Sequence, residues 1–211
     1  MDMDANITRR AFFSLATLAA FGLAGCATDA RIAVDGATVA NADATSEYVE
    51  AVLDVMRGEL GNTDGTAYED ALIEAGGELC GGERGLWCVT FLWWAFREAG
   101  CSAAFLDGKA EGWPERQWDW FDAHGQTFDV DDEAPVAGDL YYQLLEPKYR
   151  FEGCGDVSHG EFVIGWDADA RSVTCISANP IVELHEHNID EEMANGHYVG
   201  FARPAWEKVD A

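Results

Sequence analysis

The chain has 211 residues, 48% of them hydrophobic, with 8 Trp, 11 Phe and only 5 Pro; at about 100–200 residues per domain this makes one packed domain plus a targeting segment. Its 39 acidic residues against 13 basic ones give a formal charge of -26, which repels phosphate backbones and excludes a nucleic-acid partner. Beyond solubility, that charge names no substrate.

The stretch "ITRRAFFSLATLAAFGLAGC" places Arg9 and Arg10 before a short apolar run from Ala11 to Ala24 and ends in small residues before Cys26, the layout of an export signal. The run is shorter than the roughly 20 apolar residues of a membrane span. Thr8 to Phe12 looks like a twin-arginine motif. Leu23, Ala24, Gly25 and Cys26 look like a bacterial lipobox, which implies a lipid on Cys26. The expected organisation is an export signal over 1–25, a lipidated cysteine with a flexible tether over 26–46, and a domain over 47–211, exported and held to the cell envelope through the anchor at Cys26. An ordinary cleaved signal is the alternative.

With Cys26 lipidated and Cys88 set aside for chemistry, Cys80, Cys101, Cys154 and Cys175 remain, an even set in a compartment where disulfides persist. Four cysteines allow three pairings, and the spacing does not choose among them. No CxxC pair or His-rich spacing occurs, and the Asp and Glu residues after Gly61 do not fit an EF-hand loop, so no metal and no cofactor is expected.

In "EYVEAVLDVMRGELG", Val49, Val52, Leu53, Met56 and Leu60 recur at helical spacing, with Ser46 as N-cap and Gly61 past the end. A Gly- and Asp-rich loop follows, with one short helix around Tyr68 to Ala75. Cys88 to Ala99 suits a buried helix closed by Gly100. "AEGWPERQWDWFDAHG" reads as a loop and a short helix bearing three tryptophans, which pack under a loop or line a groove. From Asp139 the period changes: "GDLYYQL", "GEFVIGWD", "RSVTCISAN" and "HYVGFARP" read as antiparallel strands. Helices followed by strands make an α+β fold.

A cysteine that opens a helix is favoured as a thiolate by the unpaired N–H groups and the macrodipole, and the same N–H groups can hold an oxyanion. A base must lie within reach, and the histidines are His124, His159, His185, His187 and His197. Of these, His159 directly precedes a strong strand. His185 and His187, in polar "VELHEHNID", and His124, in a loop, read as surface residues. Asn179 ends the next strand, where its amide could orient the imidazole.

In that order the motifs resemble the CHAP domains, the cysteine, histidine-dependent amidohydrolases/peptidases. "LWCVTFLWWAFREAG" looks like their nucleophile helix. "APVAGDLYY", with Pro135, Gly138, Asp139 and Leu140, resembles their Pro-x-x-Gly-Asp-Leu strand entry, "SHGEFVIGWDADARSVTCISANP" their histidine strand, turn and following Asn, and "VGFARP" their closing strand. The similarity runs from about Tyr48 to Pro204. It implies a papain-like α+β fold in which Cys88 attacks an amide carbonyl, His159 shuttles the proton and Asn179 orients His159, with peptidoglycan as substrate and partner and a monomer as the working form. Trp87 and Tyr68 are the residues expected near the substrate, Tyr68 as a candidate second oxyanion donor. The chain departs from the pattern at Ser177, where Glu is frequent, and at Gly160 and Glu161, where Val and Gly are expected. Strand alternation places Glu161 on the face of His159, from which it could compensate for Ser177. An amidase or acyltransferase with another substrate, and a catalytically weak wall-binding lipoprotein, remain open as alternatives.

Overall fold

The computed structural model describes residues 39–150, 153 and 155–210. The export signal, Cys26, most of the expected tether and Cys154 therefore lie outside the described residues. Among these residues are five α-helices and a six-stranded antiparallel sheet, an α+β fold. No helix among them is long and apolar enough to cross a membrane.

Helix α1 (Val39–Gly58) begins well before the expected start, so Ser46 is an interior residue and not an N-cap. Ala40, Ala42 and Ala44 favour continuing the helix upstream of Ser46. Val49, Val52, Leu53 and Met56 form its buried stripe, whereas Leu60 lies past the helix end and faces solvent. Helix α2 (Thr66–Glu74) adds Tyr68 and Leu72 to the same core.

Helix α3 (Cys88–Glu98) is buried on nearly all sides, the mark of a central helix. It ends as expected: Gly100 takes a φ of +74°, and Cys101 N–H donates to Phe96 C=O at 2.8 Å, the backward bond of a glycine-stopped helix. Helix α4 (Pro114–Ala123) starts on a proline, whose missing N–H costs nothing in the first turn.

The strands are β1 (Thr127–Phe128), β2 (Leu140–Gln143), β3 (His159–Asp167), β4 (Ser172–Ser177), β5 (Glu183–Asn188) and β6 (Tyr198–Ala202), in the order β1-β6-β2-β3-β4-β5. Helix α5 (Ile189–Asn195) follows β5, capped by Asn188, whose side chain accepts from Glu191 N–H. The four expected strands are present; β1, β5 and α5 come in addition. Alternation sends Leu140, Tyr142, Phe162 and Ile176 into the larger core with α3. Tyr141, Val163, Val173 and Cys175 go to a second core with Phe201 and Ile189. Asp139 anchors the start of β2: it is 1% exposed and takes a fork of bonds from Arg203 at 2.8 and 2.9 Å, the geometry that suits guanidinium to carboxylate.

Candidate active site

Cys88 is the first residue of α3 and 6% exposed. Trp87 before it supplies no side-chain cap, and the first N–H groups of a helix have no intrahelical acceptor. The helix start is pinned from behind. The Trp87 ring lies 5.5 Å from that of Tyr68, and a Cβ on Gly65 would meet it at 2.3 Å.

His159 is the first residue of β3, in register with Gln143 on β2. Its neighbour Gly160 sets how closely helix and strand approach. A Cβ there would stand 2.9 Å from Val89 Cγ1 and 3.0 Å from Tyr142 Cε1, well inside the roughly 3.5–4.0 Å of a carbon contact. Only a residue without a side chain lets Val89, and with it Cys88, come up to the histidine.

Behind the imidazole, Nε2 lies 2.9 Å from Ser177 Oγ and 3.1 Å from Glu161 Oε1. Nδ1 is the ring nitrogen outside these two contacts, and the ring interacts with the Cys88 side chain. Burial opposes a charged imidazole here, but attraction to the Cys88 sulfur, its hydrogen bond and the Glu161 carboxylate outweigh burial and lift the pKa from 6.5 to about 10. A protonated imidazole beside sulfur is the partner a thiolate nucleophile requires.

Glu161 is 1% exposed. Burial alone would raise its pKa; the imidazoles of His159, His185 and His187 reverse that and hold the carboxyl well below the usual range. His187 Nε2 lies 2.9 Å from Oε2 and His185 Nδ1 3.2 Å from Oε1. The far nitrogens of these rings meet Glu183 and Glu192, each at 3.2 Å.

These groups share a cleft of about 600 Å³, whose wall includes Cys88, His159, Gln143, Asn179 and Pro180. Gln143 is 3% exposed and its Nε2 has no hydrogen-bond partner among the described residues. A buried amide donor without an acceptor, on the wall of a cleft, is a ready place for a ligand oxygen.

The structure thus brings Cys88 and His159 together and redistributes the other expected roles. Asn179 lines the cleft but does not hydrogen-bond His159; the ring is held by Glu161 and Ser177. Asn179 instead turns the chain after β4 with a φ of +78°, a conformation Asn tolerates better than most residues. Trp87 and Tyr68 are core residues outside the cleft wall. The Tyr68 hydroxyl donates to Glu59 at 2.6 Å and accepts from Asn62 at 2.7 Å, which occupies it as an oxyanion donor. His185 and His187, expected on the surface, sit on β5 facing Glu161. An i, i+2 pair of histidines is the signal that could have found them, since it puts both rings on one strand face. His124 is at the surface as expected, with Nδ1 against Trp120 C=O at 2.6 Å.

Cys101 and Cys175 are buried thiols outside any disulfide, contrary to the bridged set expected. Burial raises the pKa of both, with Glu161 raising that of Cys175 further.

No protein-family model, curated protein or solved structure matches the chain.

Proposed function

We propose that the chain is a cysteine amidohydrolase or endopeptidase of papain-like, CHAP-related architecture, exported and lipid-anchored at Cys26, that cleaves amide bonds of peptidoglycan. The observation that carries this reading is a sulfur at a helix start, an imidazole opposite it and a buried carboxylate behind the imidazole, all on one cleft. That is the order of nucleophile, base and orienting group. The envelope address and the wall substrate draw on Arg9, Arg10, Cys26 and the sequence motifs.

In this mechanism Cys88 Sγ adds to the amide carbonyl with its proton held on His159. The oxyanion is met by the Cys88 N–H and the Gln143 amide. Collapse breaks the C–N bond as His159 gives its proton to the leaving amine. Water then adds to the thioester with His159 as base, releasing the carboxylic acid and restoring the thiol. Glu161 stays ionised throughout and stabilises the imidazolium without taking its proton.

The test is to incubate the full chain with purified peptidoglycan and identify the released fragments by mass spectrometry, beside Cys88→Ala and His159→Ala. Fragments that vanish in both variants support the reading, and their new termini show which amide was cut. Fragments that persist in Cys88→Ala refute it.

A further inference from the structure

Glu161 faces more than His159. Three atoms, one each from Glu161, His185 and His187, lie within 4.8 Å of one another. The two nitrogen-to-oxygen distances are 3.2 Å (His185 Nδ1 to Oε1) and 2.9 Å (His187 Nε2 to Oε2). These contacts go to different oxygens of the carboxylate; ligand atoms on a tetrahedron with bonds near 2.0–2.1 Å stand about 3.3 Å apart, so the three ligand atoms, no more than 4.8 Å apart, draw together by at most about 1.5 Å on binding.

The outer contacts strengthen the case. His185 Nε2 lies 3.2 Å from Glu183 Oε1, and His187 Nδ1 lies 3.2 Å from Glu192 Oε1. The inward nitrogens donate to Glu161 here; when a metal displaces those protons, the carboxylates at the far nitrogens keep the N–H there and make the inward nitrogens better donors, as second partners do in metal centres. Strand register supplies the preorganisation. His185 is paired with Cys175 and His187 with Val173, so both rings leave β5 on one face and meet Glu161 from β3 across β4. All three residues line the cleft, the route by which an ion would reach them.

We propose that Glu161, His185 and His187 form a binding site for one divalent transition-metal ion of the zinc class. Two imidazoles and one carboxylate suit such an ion, while calcium and magnesium prefer sets made of oxygen. The site needs nothing from Cys88, so it stands apart from the proposed hydrolase. The two meet only at Glu161, whose Oε1 also holds His159 at 3.1 Å. A bound cation would draw that carboxylate away from the imidazolium, making the metal an inhibitor of the thiol site and not a part of its chemistry.

The probe is Co(II), followed by its visible absorption and by calorimetry, on the full chain and on Cys88→Ala. The expected result is one equivalent bound with four-coordinate bands in both proteins. Affinity should fall at least 100-fold in the double variant His185→Gln, His187→Gln, and about 10- to 100-fold in Glu192→Gln, which alters only an outer partner. Glu192→Gln keeps the test sharp should the double variant fail to fold. Binding lost in Cys88→Ala would show the thiol to be the ligand and overturn the site. So would no binding to the full chain, or equal binding by the folded histidine variant. None of these outcomes depends on peptidoglycan cleavage, so the site and the hydrolase fail separately.

Discussion

Gly160→Ala is the smallest change that should separate the nucleophile from its base. The added methyl would stand 2.9 Å from Val89 Cγ1 and 3.0 Å from Tyr142 Cε1. A carbon contact settles at about 3.5–4.0 Å, so the helix start must retreat by roughly 0.6–1 Å. Val89 directly follows Cys88, and His159 directly precedes Gly160. The retreat is therefore taken up between sulfur and imidazole, where a misplacement of about 1 Å can cost about 100-fold in rate. Overpacking costs about 1–3 kcal/mol, offset by about 0.4–1 kcal/mol from the stiffer unfolded chain. The protein should thus remain folded, losing only a few degrees of melting temperature. The assay is cleavage of muropeptides by Gly160→Ala alone and with Val89→Ala, which removes Cγ1. The expected result is a loss of about 100-fold in kcat/KM for the single variant and partial recovery in the double. A folded Gly160→Ala within twofold of the parent would refute the close-approach argument.

The orienting groups should rank by charge. Glu161→Gln removes the bond between two charged groups, worth about 1.5–3 kcal/mol, roughly 10- to 150-fold in kcat, while Ser177→Ala removes a bond from the imidazolium to an uncharged oxygen, at the low end of that range at about 1.5 kcal/mol, roughly tenfold; Asn179→Ala should change kcat by less than threefold, and a larger loss there than at Glu161 would restore Asn179 as the orienting residue. Gln143→Ala should lower kcat by about 100- to 1,000-fold with little change in KM, as for an oxyanion donor; an unchanged kcat would remove Gln143 from the mechanism. In the proposed mechanism an imidazolium protonates the leaving amine, and it is lost as pH rises through about 10, so in chelator-treated protein kcat/KM should fall on the alkaline side with that midpoint. The raised value also means that this group stabilises the fold fully below its ordinary 6.5, with the contribution lost on the way up through about 10. Glu161→Gln removes an anion and should move the alkaline limb to lower pH; a limb that stays in place would mean that Glu161 does not set the charge of His159.

What could be read from the sequence was what local pattern encodes. The stripe of α1, the cysteine-led helix α3 with its glycine stop, and the four strands of β-branched and aromatic residues all carry their own periodicity. Strand β5 does not. "ELHEHN" is polar, half-exposed and at the sheet edge, so neither hydrophobic alternation nor β-propensity marks it. With β5 unseen, His185 and His187 had no partner, because their meeting with Glu161 depends on the β4–β5 register, a long-range property of the hairpin. Glu161 itself was within reach of simple alternation from His159. Asn179 misled because its spacing after His159 suits an orienting amide, whereas its backbone is committed to a left-handed turn. Tyr68 misled because sequence separation says nothing of which core its hydroxyl enters.

Activation of Cys88 as a nucleophile by His159 is read in the rate at which each cysteine of the full chain reacts with iodoacetamide at pH 6, followed by peptide mass spectrometry. Cys101 and Cys175, buried thiols whose pKa values are raised, serve as internal references. Cys88 should react far ahead of both, and this lead should collapse in His159→Ala, with a smaller loss in Glu161→Gln. A Cys88 no faster than Cys101, or one whose rate ignores the loss of His159, would contradict activation by His159.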